Sequence, residues 1–163
     1  MGMTAKQERL TDLIKDFDTA MLVASAPNRR THARPMRVAE IREDGDIFFA
    51  TSTGSPKIAE IAANPEVIVT FQDSNQFASI AGRAEVVKDR NLIDRLWSEA
   101  WKVWFPEGKN DPTLCLIRVD GREGEYWDNA GVQGIKQAFQ QAKAYMQGRT
   151  PVQDEKQNAK VRL

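Results

Sequence analysis

Asp44-Gly45 separates two strand-like runs, THARPMRVAEI (31–41) and DIFFATS (46–52). Asp-Gly between such runs signals a tight antiparallel hairpin, because the glycine takes the positive φ that the turn requires. Strands joined in this way lie antiparallel, since a parallel pair needs a long crossover. The same grammar recurs along the chain. AMLVASA (20–26) enters a turn at Pro27-Asn28, EVIVTFQD (66–73) precedes FASIAGRAEVV (77–87), and TLCLIRV (113–119) meets Asp120-Gly121 and then EGEYWD (123–128). Asp120-Gly121 reads as a second hairpin. The count is about seven strands, mostly antiparallel, with helices inserted between them. The order is not a Rossmann alternation. It predicts a mainly β fold with flanking helices, a barrel and not a doubly wound sheet.

Leu10, Leu13, Ile14 and Phe17 mark one helical face over residues 5–17. Ser55 stands at an N-cap position, Pro56 at the favoured first helical position, and Asn64-Pro65 ends that short helix. Asp89 caps a helix carrying Leu92, Ile93, Leu96, Trp97, Ala100, Trp101 and Trp104. The tryptophans at i, i+4 and i+7 read better as a core or subunit interface than as a ligand box. Ile135, Ala138, Phe139, Ala142, Tyr145 and Met146 mark a C-terminal helix over 131–146. The tail 147–163 is polar until Val161 and Leu163, which could add a short edge strand. With no repeat and no linker, residues 1–163 read as one domain.

Charge bounds the functions. Lys plus Arg number 23 and Asp plus Glu number 23, so nothing in the charge balance argues for a nucleic-acid footprint. No apolar stretch approaches the ~20 residues that span a bilayer. The start MGMTAKQERL has no apolar signal core, and Cys115 is the only cysteine. The expectation is a cytoplasmic protein with no membrane partner. One histidine and one cysteine do not make a structural zinc site.

The corner FFATSTGSPKIAEI (48–61) places Thr51, Ser52, Ser55 and Lys57 where a strand turns into a helix. Helix N-termini attract anions, and the hydroxyls and the lysine would add donors and charge, so the corner can hold a phosphate as well as cap a helix. In HARPMRV (32–38), Arg34 shares a strand face with His32, Met36 and Val38 and could meet a phosphate with two donors. Pro35 cannot donate to a ladder, which leaves backbone near it open to a ligand. Trp127 ends a strand beside a polar loop, where it can cover a flat ligand or enter the core.

The ordered set ARPM, FFATSTGSPKIAEIAANPEVIVTF, SIAGRAEVV, WFPEGKNDPTLCLIRV and GEYWD resembles the bacterial general stress proteins of the FMN-binding split-barrel type, relatives of pyridoxamine 5′-phosphate oxidase. The resemblance covers roughly residues 8–130. It implies an antiparallel split β-barrel that forms a homodimer with FMN in the dimer groove. FAD or the deazaflavin F420 are alternatives within such barrels. By motif, Arg34 and Lys57 fall to the flavin phosphate, and Pro35, Met36, Arg37 and Val38 run along the ring. Ala50 and Thr51 fall at the strand end, Pro56 pairs with Lys57 at the helix start, Gln76 lies near the ring, and Trp127 reaches the cofactor from the partner subunit. The oxidase has an Arg-x-His-type substrate motif after this tryptophan. Here DNAGVQGIKQAFQQAKAY carries no arginine or histidine before Arg149, which speaks against pyridoxamine phosphate oxidation. The implied function is an FMN-dependent oxidoreductase of a small molecule, or a flavin-binding stress protein that does not turn over.

Overall fold

The computed structural model describes residues 2–26, 28, 30–148 and 158–163, and side chains within those ranges except at 131–138. Pro27, Arg149, the tail over 149–157 and the side chains of Ile135 and Ala138 therefore lie outside the described residues.

Six antiparallel strands close a barrel. They are β1 (Thr19–Ser25), β2 (Thr31–Ile41), β3 (Asp46–Ser52), β4 (Glu66–Gln72), β5 (Gln76–Val87) and β6 (Leu114–Asp128). The order is β3-β2-β1-β4-β5-β6, and β3 pairs with β6 to close the ring. β7 (Asn158–Arg162) adds to the outer half of β6, as the apolar end of the tail suggested. The 44–45 hairpin forms, with Gly45 at φ +93°.

Inward faces follow the two-residue period. Ala20, Leu22 and Ala24 of β1, Val67, Val69 and Phe71 of β4, and Ala78 and Ile80 of β5 enter one core. Helix α1 (Ala5–Ile14) adds Leu10, Leu13 and Ile14 to it. Thr4 and Gln7 form a reciprocal capping box at its start. The helix ends before Phe17, whose ring instead meets Phe71 edge-on at 5.7 Å.

β3 and the first half of β6 are apolar on both faces because both faces are covered. Ile47 and Phe49 point into the barrel core, while Phe48, Leu114 and Leu116 meet a second core outside it. The excursion between β5 and β6 supplies that cover. It consists of α3 (Arg90–Leu96), a 3-10 turn (Glu99–Val103) and a shorter 3-10 turn (Gly108–Asn110).

Two expectations need correction. The helix starting at Asp89 does not continue to Trp104, because Trp97 adopts an extended conformation (ψ 134°) and Ser98 starts a new turn. Ile93 before the break and Trp101 after it still reach the same second core. Asp120-Gly121 is not a hairpin either. β6 runs through it as one strand, with a bulge that sets Gly82 opposite Gly121 and Ala81 opposite Glu123. The C-terminal helix α4 spans Gly131–Gln147 and ends on Gly148 at φ +62°. No helix among the described residues is long and apolar enough to cross a membrane.

Candidate ligand cleft at the barrel split

The ring of strands is incomplete at one seam. β2 pairs with β3 only from Val38 and Phe49 to Ile41 and Ile47, with a register shift between Val38 and Glu40. Beyond this point the strands part. Residues 31–37 of β2 continue along β1, while Ala50, Thr51 and Ser52 continue along β6. Pro35 sits on the parted edge, where a residue lacking an N–H leaves no donor unmade. The opening holds a cleft of about 610 Å³. That volume lies in the ~300–1,000 Å³ range of small-molecule and cofactor sites.

One lip of the cleft is Pro35, Met36 and Arg37, and the other is Ala50, Thr51 and Ser52. Helix α2 (Pro56–Ala63) begins at the end of the second lip. Ser55 occupies its N-cap position, but its hydroxyl does not cap the helix. It accepts a hydrogen bond from Lys57 Nζ at 2.6 Å, and Thr51 Oγ1 accepts another at 3.0 Å. The lysine is thus folded back over the strand end and drawn into the cleft. Burial pushes the Lys57 ammonium below its ordinary range, and the Arg34 guanidinium pushes it the same way. A partly desolvated cation held by two neutral hydroxyls lacks a counter-charge of full strength, and an anion in the cleft would supply it.

Arg34 is close to this corner but points elsewhere. Its Nη2 donates to Glu60 Oε2 on α2 at 2.7 Å, and His32 Nδ1 lies 3.5 Å from Glu60 Oε1. Glu60 is buried and Arg34 is one-fifth exposed. Below Thr51, its cross-strand partner Cys115 is fully buried, and burial raises its thiol pKa.

Of the residues the sequence singled out, the fold brings Pro35, Met36, Arg37, Ala50, Thr51, Ser55 and Lys57 into one cleft. Val38 packs on the barrel core, and Pro56 is exposed at the helix start. Gln76 lies in a neighbouring hollow of about 410 Å³ that shares Thr19 with the cleft, and its amide donates to Asp128 Oδ1 at 3.2 Å. Arg9 also bonds Asp128. Trp127 stands between Phe77 and Asn158 on the β5–β6–β7 face and does not line the cleft of its own chain.

The cleft also has a wall that the sequence did not assign to it. Trp101, Trp104 and Phe105 of the β5–β6 excursion line it. Trp101 belongs to the second core, one of the two places the helical spacing offered, and Phe105 joins it there, but Trp104 is 60% exposed. The signal that could have found it was the break after Trp97, which takes Trp104 off the buried stripe.

Comparison with known proteins agrees with this fold. Residues 5–152 match the family "Pyridoxamine 5′-phosphate oxidase like". General stress protein 26 of Bacillus subtilis is 28% identical over 120 residues, covering 70% of this chain and 82% of that protein. Protein bli-3 of Neurospora crassa is 30% identical over 98 residues, and the chain spans about half the length of that relative (47%). Among solved structures, a general stress protein 26 from Jannaschia sp. CCS1 aligns over 99% of this chain and 100% of its own, at 27% identity and TM-score 0.75. A general stress FMN/FAD binding protein from Xanthomonas citri aligns over 77% of this chain and 89% of its own, at 33% identity and TM-score 0.66.

Proposed function

Because the chain belongs to the pyridoxamine 5′-phosphate oxidase-like family, we propose that it is a flavin-binding general stress protein that holds FMN in the split of the barrel. The observation that carries this reading is Lys57, partly desolvated and held by Thr51 and Ser55 in a 610 Å³ cleft that also presents Met36, Trp101, Trp104 and Phe105. A phosphate fits the lysine and its hydroxyls, and a flat ring fits the apolar and aromatic surface. The Xanthomonas citri relative, an FMN/FAD binding protein, supports the same assignment.

In this reading Lys57 carries most of the phosphate charge, and Ser55 and Thr51 donate or relay hydrogen bonds to it. Arg34 adds charge after exchanging some of its contact with Glu60 for the ligand. The parted edge of β2 at Pro35, Met36 and Arg37 offers backbone groups and apolar surface along the ring, with Ala50 on the opposite lip. Bound FMN would supply hydride or electron transfer to a small-molecule substrate. The chain's own residues bind, orient and keep water from the ring.

The assembly proposed is a cytoplasmic homodimer. Ile68 and Phe77 are 44% and 37% exposed on the outer face of β4 and β5, and Trp127 pairs with Phe77 beside them. Covering this face with a second copy buries apolar surface and sets Trp127 at the interface, from which the proposed dimer would present it to the other copy's cleft.

The test is a visible spectrum of the purified protein before and after FMN addition and desalting. Near one retained flavin per chain, lost in the Arg34→Ala/Lys57→Ala double variant, is expected. No retained flavin, or a folded double variant that holds FMN as tightly as wild type, overturns the assignment. Reduction by NADH or NADPH with turnover of an acceptor separates an oxidoreductase from a protein that binds without turnover.

A further inference from the structure

Trp104 is the largest kind of apolar side chain, yet it is 60% exposed while lining the cleft. Core packing does not account for it. Its neighbours do the packing: Trp101 and Phe105 are 3% and 6% exposed and sit against Phe48, Leu114 and Leu116. Trp101 also meets Trp97 edge-on at 5.6 Å.

The same neighbours fix where Trp104 stands. The N–H groups of Trp104 and Phe105 both donate to the Trp101 carbonyl at 2.9 Å, which closes a tight turn between two anchors. The far end of the excursion is tied down as well. Arg90 reaches the carbonyls of Lys109 and Pro112, and Asp111 accepts from both the N–H and the hydroxyl of Thr113. The turn cannot carry Trp104 into the second core without extracting Trp101. The adjacent Val103 is 78% exposed and does not line the cleft, so exposure on this turn is not the same as facing the ligand.

The cleft lining is therefore mixed. Lys57, Thr51 and Ser55 form a cationic, hydroxyl-rich cluster and Arg37 adds a second cation, while Met36 and Trp104 add apolar surface. We propose that Trp104 is a ligand-contact residue, the stacking face that makes the cleft select a phosphate joined to a flat aromatic body over a phosphate alone. This rests on the cleft being the ligand site. It does not require that the aromatic body be a flavin. Stacking on an indole is tolerant of ring identity, because every flat ring presents a π-face.

The test is calorimetric titration of the full chain with FMN, riboflavin, pyridoxal 5′-phosphate, AMP and inorganic phosphate, in wild type, Trp104→Ala and Trp104→Phe. A thermal melt of each variant accompanies it. At least one ring phosphate binds wild type, Trp104→Ala weakens it by about tenfold or more, and Trp104→Phe restores most of the loss. Inorganic phosphate binds wild type and Trp104→Ala alike. Unchanged ring-phosphate affinity in Trp104→Ala overturns the inference, and so does a wild type that binds none of the ring phosphates. A change of oligomeric state in Trp104→Ala with ligand affinity intact assigns the indole to a subunit interface and also overturns it. A chain that takes AMP or pyridoxal 5′-phosphate but not FMN sinks the flavin reading and leaves this one standing.

Discussion

Arg34 donates to Glu60 at 2.7 Å, from the parted strand to the helix that begins at the Ser55–Lys57 corner. The pair places a buried carboxylate beside a site proposed for an anion. Glu60→Gln keeps the shape and a hydrogen-bond acceptor but removes the like charge. It should tighten binding of a phosphate ligand by about 1 kcal/mol, near fivefold, while lowering thermal stability. Arg34→Ala leaves Glu60 buried without its guanidinium and should cost about 1–3 kcal/mol of stability. Titration and melts of both variants check this. If Glu60→Gln weakens binding as much as Arg34→Ala does, the carboxylate orients the arginine and does not compete with the ligand.

Lys57 gives the site a pH dependence whose sign can be worked out. Burial lowers its pKa in the ligand-free fold, so the unfolded chain binds the proton more tightly. Stability of the ligand-free protein therefore rises with pH between the folded pKa and the ordinary lysine value near 10.5. A bound phosphate reverses the effect by favouring the ammonium. Affinity for a phosphate ligand should then fall as pH climbs through the ligand-free pKa, below the ordinary lysine range. The phosphate itself is already dianionic there, because its second pKa is about 6. Lys57→Met should bind more weakly at neutral pH and lose the alkaline decline. An identical decline in wild type and Lys57→Met would assign the titration to another group.

Much of this fold was legible because hairpin chemistry and apolar runs are local. β2 and β3 have the bounds read from the sequence, since Asp44-Gly45 fixes both strand ends at once. The corner at Ser55–Lys57 was legible for the same reason. The departures have different origins, one in strand pairing and two in local geometry that a residue pattern does not specify. Asp120-Gly121 looks like a turn, but β5 on one side and β3 on the other hold β6 straight through it. Ser55 looks like a helix cap, but the ammonium of Lys57 takes its hydroxyl. Trp104 follows the helical period of a core, but the chain turns after Trp97 and leaves it on the cleft. Pro35 marked an open edge on β2, but how far the split runs was not legible, because it depends on where β2 and β3 stop pairing.

The bulge on β6 demands a glycine across from it. A Cβ on Gly82 would stand 2.2 Å from the Asp120 carbonyl oxygen and 2.9 Å from its carbon. Both atoms are backbone inside a paired ladder, so neither can swing aside. Gly82→Ala should destabilise the fold by about 2–4 kcal/mol, through strand displacement and not through lost burial. Chemical denaturation checks the magnitude. A change below about 0.5 kcal/mol would show that β5 and β6 separate readily at the bulge.

One arginine adds a side-chain tie across the closing seam between β3 and β6. Arg118 Nε donates to Asp46 Oδ2 at 2.7 Å, and its Nη1 donates to Glu85 Oε1 at 2.9 Å. These partners hold Arg118 even more firmly charged than usual. The Asp46 side chain is 5% exposed, whereas Glu85 is well exposed, so the two pairs are unequal. Arg118→Leu leaves Asp46 buried without its guanidinium, at a cost of about 1–3 kcal/mol. For a chain of this size that lowers the melting midpoint by about 2–4 °C per kcal/mol. Asp46 and Ser52 are the two ends of β3, about 20 Å apart at the usual strand rise. Ligand affinity at the split should therefore remain at the wild-type value below the melting transition. A loss of ligand binding in folded Arg118→Leu would mean that the seam pairing sets how far the barrel opens at its other end.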